Sequence, residues 1–202
     1  MDFISRLNTF VRTQHTQTFE GNTFLFGLNP PANLDQITQT EEQLGVQLPL
    51  ILVQIYTIIG NGGFGPAMGL VGVDNSIHTG TGKCFNLAMV YADFVKNYHL
   101  FSGQEWPRNL IPFHQHGFIS EQFEPHHFFH EMYLCVDLHR STEQLSLSLP
   151  VQMSLDGIDQ LIFPLECSIS DLYEEWMAER DIVDQALEAL FGGVDGEDEL
   201  CQ

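Results

Sequence analysis

The residues of this chain with the clearest capacity for chemistry are five histidines: His114, His116, His126, His127 and His130. Side chains two residues apart on a strand point to the same face, so the H-x-H pair at 114 and 116 could offer two imidazoles to one metal ion. Carboxylates that could complete a ligand set lie nearby: Glu121, Glu124, Glu131 and Asp137. The pattern allows a metal-dependent hydrolase built on the His114–His130 region. Polar loop histidines without a metal are the simpler interpretation, because H-E-x-x-H is absent and the stretch is interleaved with phenylalanines.

Other catalytic motifs are absent, incomplete or in the wrong structural context. The run Gly80-Thr81-Gly82-Lys83-Cys84 resembles the end of a phosphate-binding loop, but Ile77 stands where the first glycine is needed and Cys84 where Ser or Thr is needed. The chain has no G-x-S-x-G nucleophile turn. The glycines at 60, 62 and 65 have the G-x-G-x-x-G spacing, but they follow a predicted helix, whereas the dinucleotide motif follows a strand. We therefore expect a protein that is not an enzyme and that uses no cofactor.

The charge balance narrows the class of partner. With 27 acidic and 7 basic residues, the formal net charge is −20. A surface this negative repels nucleic acid and anionic lipid, so neither is expected as a direct partner. A basic protein is favoured instead, although solubility alone also explains an acidic chain. The sequence has no apolar run long enough for a membrane helix, and its four cysteines are scattered without C-x-x-C spacing, which predicts a cytoplasmic protein with reduced thiols.

The negative charge is concentrated near the C-terminus. Residues 166–202 contain twelve acidic side chains and one basic side chain, Arg180. This segment is either a solvated helix face or a surface that mimics phosphates toward a basic partner. The acidic residues that we predict to contact a partner are Glu121, Glu124, Glu174, Glu175, Glu179, Asp181, Asp184 and Glu188.

The elements that must position these residues follow from hydrophobic spacing. Apolar residues recur with helical period over 3–12, 34–44, 49–59, 87–98 and 170–190. Gly45 suits the C-terminal stop of the second of these helices, and Asn86 suits the N-cap of the fourth. A short buried segment is predicted over 110–113. Strands are predicted over 68–73, 132–138, 145–149 and 160–163. This order predicts an α+β fold, with a mainly antiparallel central sheet and N-terminal helices, one mid-chain helix and a C-terminal helix packed around it. We expect an N-terminal helix and extension over 1–32, a single domain over 33–191 and an acidic flexible tail over 192–202.

Four short motifs resemble the SUKH superfamily, which includes Smi/Knr-like cell-wall-assembly regulators and bacterial immunity proteins. They are E-x-x-L-G-x-x-L-P, N-G-G after the next helix, a W-P segment followed by a proline, and an aromatic-x-C-x-D strand. The residues that carry them are Glu41, Leu44, Gly45, Leu48, Pro49, Asn61, Gly62, Gly63, Trp106, Pro107, Pro112, Cys135 and Asp137.

The resemblance covers about residues 33–190 and implies a binding protein rather than a catalyst. The chain is similar in this respect to immunity proteins, which neutralise a cognate toxin, such as a nuclease, by stoichiometric binding. The same superfamily also contains Smi/Knr-like regulatory scaffolds, which is the alternative function. Its motifs identify a scaffold, and neither the contact surface nor the oligomeric state follows from them.

Overall fold

The structure, a computed structural model, describes residues 1–19, 22–25, 28–73, 85–117, 131–139, 143–149 and 161–191. These residues form six α-helices, one π-helical segment and seven strands. The helices are α1 (Phe3–His15), α2 (Leu34–Leu44), α3 (Leu50–Gln54), continued by the π-helical segment (Ile55–Ile59), α4 (Leu87–Ser102), α5 (Ile169–Met177) and α6 (Ile182–Phe191). The strands are β1 (Thr16–Phe19), β2 (Asn22–Leu25), β3 (Gly69–Leu70), β4 (Leu110–Gly117), β5 (Met132–Asp137), β6 (Gln144–Ser148) and β7 (Ile162–Ser168).

Five strands form one antiparallel sheet in the order β3-β4-β5-β6-β7. Each strand lies beside the next strand along the chain, so the sheet is a meander. The register of β4 against β5 shifts twice, between Pro112 and His114 and again between Gln115 and Gly117. The predicted α+β fold with a mainly antiparallel sheet is confirmed.

Helices cover both faces of this sheet. Tyr133 on β5 packs edge-on against Phe94 of α4, with ring centroids 5.5 Å apart. Tyr133 pairs with Gln115 across the ladder, and the preceding residue, His114, therefore points to the opposite face. There its ring lies 6.4 Å from that of Tyr173 on α5. Strands β4 and β5 are buried along almost their whole length because both faces are covered.

The first helix packs into the same core as the rest of the chain. Leu7 and Val11 are fully buried on the inner face of α1. Phe10 meets Trp176 of α5 with ring centroids 5.0 Å apart. Helix α1 therefore rests against α5, although the two are far apart in sequence.

The first motif closes α2 and starts α3. The Glu41 carboxylate accepts a hydrogen bond of 2.8 Å from the backbone N–H of Leu48. Gly45 ends α2 with φ of 72°, in the left-handed region that favours glycine, and its N–H bonds to the Glu41 carbonyl. Leu44 and Leu48 are buried beside this turn, and Pro49 stands immediately before α3. Each residue of the motif thus has a structural role.

The second motif fixes the turn after the π-helical segment. Asn61 is buried, and its side-chain oxygen accepts a hydrogen bond of 2.7 Å from the N–H of Val73. Gly62 has φ of 81°, and a Cβ atom there would lie 2.7 Å from the backbone nitrogen of Gly72. This close approach requires glycine at 62, because no side chain fits between the two backbone segments.

The third motif connects the sheet to α4, and the fourth lies on β5. Trp106 is buried, donates from its indole N–H to the Leu110 carbonyl at 3.0 Å, and packs against Phe94. Cys135 is buried opposite Pro112 on β4, and burial raises the pKa of its thiol well above the ordinary value. The Asp137 carboxylate at the end of β5 accepts a hydrogen bond of 2.7 Å from the Asn109 amide.

The C-terminal segment contains two helices, so the prediction of one helix over 170–190 was wrong. Helix α5 begins at Ile169 behind a capping box formed by Ser168 and Asp171, and it ends at Met177. Glu179 then adopts φ of 58°, which no helix can continue through. A second helix starts after Asp181. The apolar spacing hid this break, because Trp176 and Val183 remain seven residues apart and both face the core.

Three other local predictions need correction. The helix predicted over 49–59 is α3 followed by five residues with π-helical hydrogen bonding. The connection between α1 and α2 contains the β1–β2 hairpin, which the polar Thr- and Asn-rich sequence did not indicate. The segment over 110–113 is the start of an eight-residue strand. The N-cap predicted at Asn86 is confirmed, since its side chain accepts from the N–H of Met89 at 2.9 Å.

Candidate functional site

The H-x-H pair on β4 does not form one two-histidine site within the described residues. His114 is fully buried against Tyr173, and a Cβ atom at Gly65 would lie 2.7 Å from its Nε2. His116 is also buried, but its Nε2 points to α6 and lies 3.7 Å from a carboxylate oxygen of Asp181. Five further predicted ligands lie outside the described residues: Glu121, Glu124, His126, His127 and His130.

Two of the carboxylates proposed as metal ligands have structural contacts instead. Glu131 accepts hydrogen bonds from the Gln115 amide and from the hydroxyl of Tyr133. Asp137 accepts from the Asn109 amide and from the backbone N–H of His139. Both side chains thus stabilise the β4–β5 pair and its following turn, which weakens the hydrolase hypothesis for this region.

The segment formed by α5, α6 and the turn between them carries the acidic residues predicted to contact a partner, apart from Glu121 and Glu124, which lie outside the described residues. Between 169 and 191 the chain has seven acidic residues and one basic residue. We call this surface the C-terminal acidic face and define it by Glu174, Glu175, Glu179, Asp181, Asp184 and Glu188.

Part of the C-terminal acidic face is neutralised within the molecule. Glu174 forms an ion pair with Arg6 of α1, which joins the two helices. Glu175 accepts two hydrogen bonds from the Arg180 guanidinium, one of them 2.8 Å long. These bonds hold the pKa of the Glu175 carboxyl below its ordinary value. Both carboxylates therefore have intramolecular partners and are less available to another protein.

The rest of the face presents charge to solvent. Glu179, Asp184 and Glu188 are exposed, and in the described part of the chain their carboxylates accept no hydrogen bond. Glu179 stands at the left-handed turn between α5 and α6, and the other two lie one helical turn apart on α6. Unpaired carboxylates so close together create a negative potential that attracts cationic groups.

Asp181 combines two functions at the start of α6. One carboxylate oxygen accepts from the backbone N–H groups of Val183 and Asp184 at 2.9 and 3.3 Å, which caps the helix. The other oxygen faces His116 on β4. Sequence analysis missed this cap, although an aspartate before an apolar run with a second acid three residues later is a recognisable start signal.

An open groove of about 680 Å³ lies beside α1 and α3. Its lining includes Phe3, Ile4 and Ile58, together with the carboxyl-bearing residues Asp2 and Glu143. Ser170 at the start of α5 also lines it, one helical turn from Glu174 of the C-terminal acidic face. The groove was not predicted. Two apolar residues in 49–59, Leu50 and Ile58, do not lie on the buried face of the helix and could have indicated this groove. They are 69% and 45% exposed.

Comparison with known families decides what scaffold this is. A family model described as SMI1/KNR4 (SUKH-1) matches residues 31–146, which is more than half of the chain. The chain belongs to the SMI1/KNR4 family. The search of curated proteins and the search of solved structures found no match.

The SMI1/KNR4 match separates the molecule into two parts. The matched segment contains all four motifs, the helices α2–α4 and the strands β3–β5. Helix α1, strand β7 and the C-terminal acidic face lie outside it. Among the described residues, no helix of this family member has the length and apolarity required to cross a membrane.

Proposed function

We propose that this SMI1/KNR4-family protein is a non-catalytic cytoplasmic immunity protein that neutralises a cognate basic toxin, such as a nuclease domain, by stoichiometric binding. The observation that carries the proposal is the set of exposed carboxylates on the C-terminal acidic face, at Glu179, Asp184 and Glu188. They lie on a scaffold whose family motifs are occupied by hydrogen bonds and packing, so the motifs leave the surface available for recognition.

In the proposed mechanism, carboxylates of this chain pair with cations of the toxin, and the bound chain covers the toxin's active site. A nuclease holds substrate phosphates with Lys and Arg, and carboxylates on a rigid helix can pair with the same cations. The apolar groove near Ser170 adds a place for a nonpolar side chain of the partner next to the charged contacts. Binding then prevents nucleic acid from reaching the active site, and no chemical step by this chain is required.

The test begins with a search of the genes that neighbour this one for a toxin, which is then produced and purified. We expect a one-to-one complex by size-exclusion chromatography with light scattering, loss of toxin activity in that complex, and an association rate that falls steeply as salt is raised. Failure of the chain to bind that toxin, or to protect cells from it, would refute the proposal.

A charge-matched pair of variants separates local recognition from overall charge. Glu179→Gln with Glu188→Gln removes two charges from the C-terminal acidic face. Asp35→Asn with Glu42→Gln removes two charges from exposed positions on α2. At low salt we expect the first variant to bind about three- to tenfold more slowly and the second to bind at nearly the wild-type rate. Equal slowing by both would exclude the C-terminal acidic face as the contact surface.

The family membership also favours a second candidate, a regulatory scaffold of the SMI1/KNR4 type. This function predicts several endogenous protein partners and no neighbouring toxin gene. Affinity capture from the native host, followed by mass spectrometry, distinguishes the two, because an immunity protein yields one dominant partner and a scaffold yields several.

A further inference from the structure

Three potential metal-ligating side chains converge where β4 meets α6. His116 comes from the sheet, Asp181 from the residue before α6 and Asp184 from the first turn of that helix. One ligand atom from each residue can be chosen so that all three lie within 4.8 Å of one another. The three residues are separated by 65 or more positions from strand to helix, so the fold and not the local sequence brings them together.

The His116 side chain is the independent sign that this cluster has a ligand. The side chain is only 6% exposed and is directed into the cluster through Nε2. Its Nε2 points to the carboxylates, but the 3.7 Å distance to Asp181 is longer than a hydrogen bond. Buried polar groups in native proteins nearly always have a partner, so an imidazole in this condition requires explanation.

Arg180 is the one basic residue between 169 and 191, and its guanidinium is hydrogen-bonded to Glu175. In the described structure it therefore does not neutralise Asp181 or Asp184, which leaves their negative charge available to a cation.

We propose that His116, Asp181 and Asp184 bind a divalent ion of the zinc class. One imidazole nitrogen and two carboxylate oxygens form a mixed donor set that Zn²⁺ accepts, whereas Mg²⁺ prefers oxygen alone. Three protein ligands leave one tetrahedral position for water. The ligand atoms must approach to within zinc-bonding distance, and exposed Asp184 can rotate to do so because no described residue holds its carboxylate.

The ion would connect two parts of the molecule that the family match separates. His116 lies inside the matched segment, and both aspartates lie beyond it on the helix that carries part of the C-terminal acidic face. Metal binding would hold α6 against the sheet and fix the orientation of the C-terminal acidic face. This inference goes beyond the proposed toxin binding, since a site that stiffens α6 is equally possible in a protein with another partner.

The experiment measures zinc binding to the untagged full chain after removal of metal with a chelator. Isothermal titration with ZnCl₂ is compared among wild type, Asp184→Asn, Asp181→Asn and the control Glu188→Gln, which removes the same charge one turn further along α6. We expect one zinc per chain in wild type and in the control. We expect affinity to fall at least about tenfold in both aspartate variants. Titration with MgCl₂ should give no comparable binding.

We expect both aspartate variants to keep the fold intact. Asn retains a side-chain oxygen that can cap α6 at position 181, and Asp184 is exposed. X-ray absorption of the zinc-loaded protein should show a nitrogen and oxygen shell with one imidazole. Absence of zinc binding at about 100 μM, equal affinity in the aspartate variants and the control, or a shell with two or more imidazoles would each overturn the proposal. Toxin binding is not part of this readout, so failure here leaves the proposed function to its own test.

Discussion

The family motifs and the C-terminal acidic face use polar side chains in opposite ways. In the motifs, Glu41, Asn61 and Asp137 direct their oxygens inward, to the backbone or to an amide of the same molecule. On the acidic face, Glu179 and Glu188 direct theirs to solvent. The first group stabilises a fold that many sequences can share, and the second leaves a surface that can vary without changing the fold.

This contrast explains why the motifs identify the family but not the partner. A side chain that is held inside the molecule by hydrogen bonds is less available to another protein than one that faces solvent. Glu174 and Glu175 lie between the two extremes, because they belong to the acidic face but pair with Arg6 and Arg180. Recognition residues are therefore best sought among exposed carboxylates without an internal cation.

The largest loss of stability is expected from Trp106→Ala, which tests the structural role of the motif residues. Removing the buried indole leaves a cavity beside Phe94 and removes the hydrogen bond to the Leu110 carbonyl, so we expect the free energy of unfolding to fall by about 3–5 kcal/mol. Urea denaturation followed by circular dichroism measures it. Leu34→Ala, at a position 68% exposed, is the control and should change the free energy of unfolding by less than about 0.5 kcal/mol. Similar losses in the two variants would contradict the assignment of Trp106 to the core.

A smaller effect is expected from Gly62→Ala compared with Gly103→Ala. Both glycines have positive φ, 81° and 70°, so both substitutions carry a backbone cost of about 1–2 kcal/mol. A Cβ atom at 62 also meets the backbone of Gly72, whereas at 103 it meets nothing within 4 Å. We expect Gly62→Ala to be less stable than Gly103→Ala by about a further 1–3 kcal/mol in the same denaturation assay. Equal stability would show that the N-G-G turn relaxes at little cost.

The smallest effect on stability is expected on the acidic face. Glu179→Gln with Glu188→Gln should leave the free energy of unfolding within about 0.5 kcal/mol per site of wild type. Denaturation of the double variant, run beside the toxin-binding measurement, checks this. A loss greater than about 1 kcal/mol per site would place these carboxylates with the motif residues and remove the contrast between the two regions.

Sequence analysis predicted best where local chemistry decides the structure. The left-handed stop at Gly45 and the cap at Asn86 follow from residue type and spacing within one turn. The buried face of 49–59, which includes Leu52 and Tyr56, follows from helical period. These features need no knowledge of distant parts of the chain.

Prediction failed where tertiary contacts override a local pattern. The break at Glu179 interrupts an apolar period that continues into α6, and the β1–β2 hairpin forms from residues typical of a loop. The approach of His116 to Asp181 has no signal in spacing, because strand and helix are joined only by the completed fold. The H-x-H motif drew attention to β4 and His116, but among the described residues His114, Glu131 and Asp137 do not join His116 in a cluster of potential ligands.

The contact between α1 and α5 has a consequence for synthesis of the chain on the ribosome. Arg6 and Glu174 are 168 residues apart, and Phe10 finds Trp176 across a similar interval. At translation rates of about 5–20 residues per second, the first helix waits roughly 10–30 s before its partner helix is made. During that time Phe10 lacks the Trp176 ring and Arg6 lacks the Glu174 carboxylate, so α1 cannot reach its final packing until α5 has been synthesised.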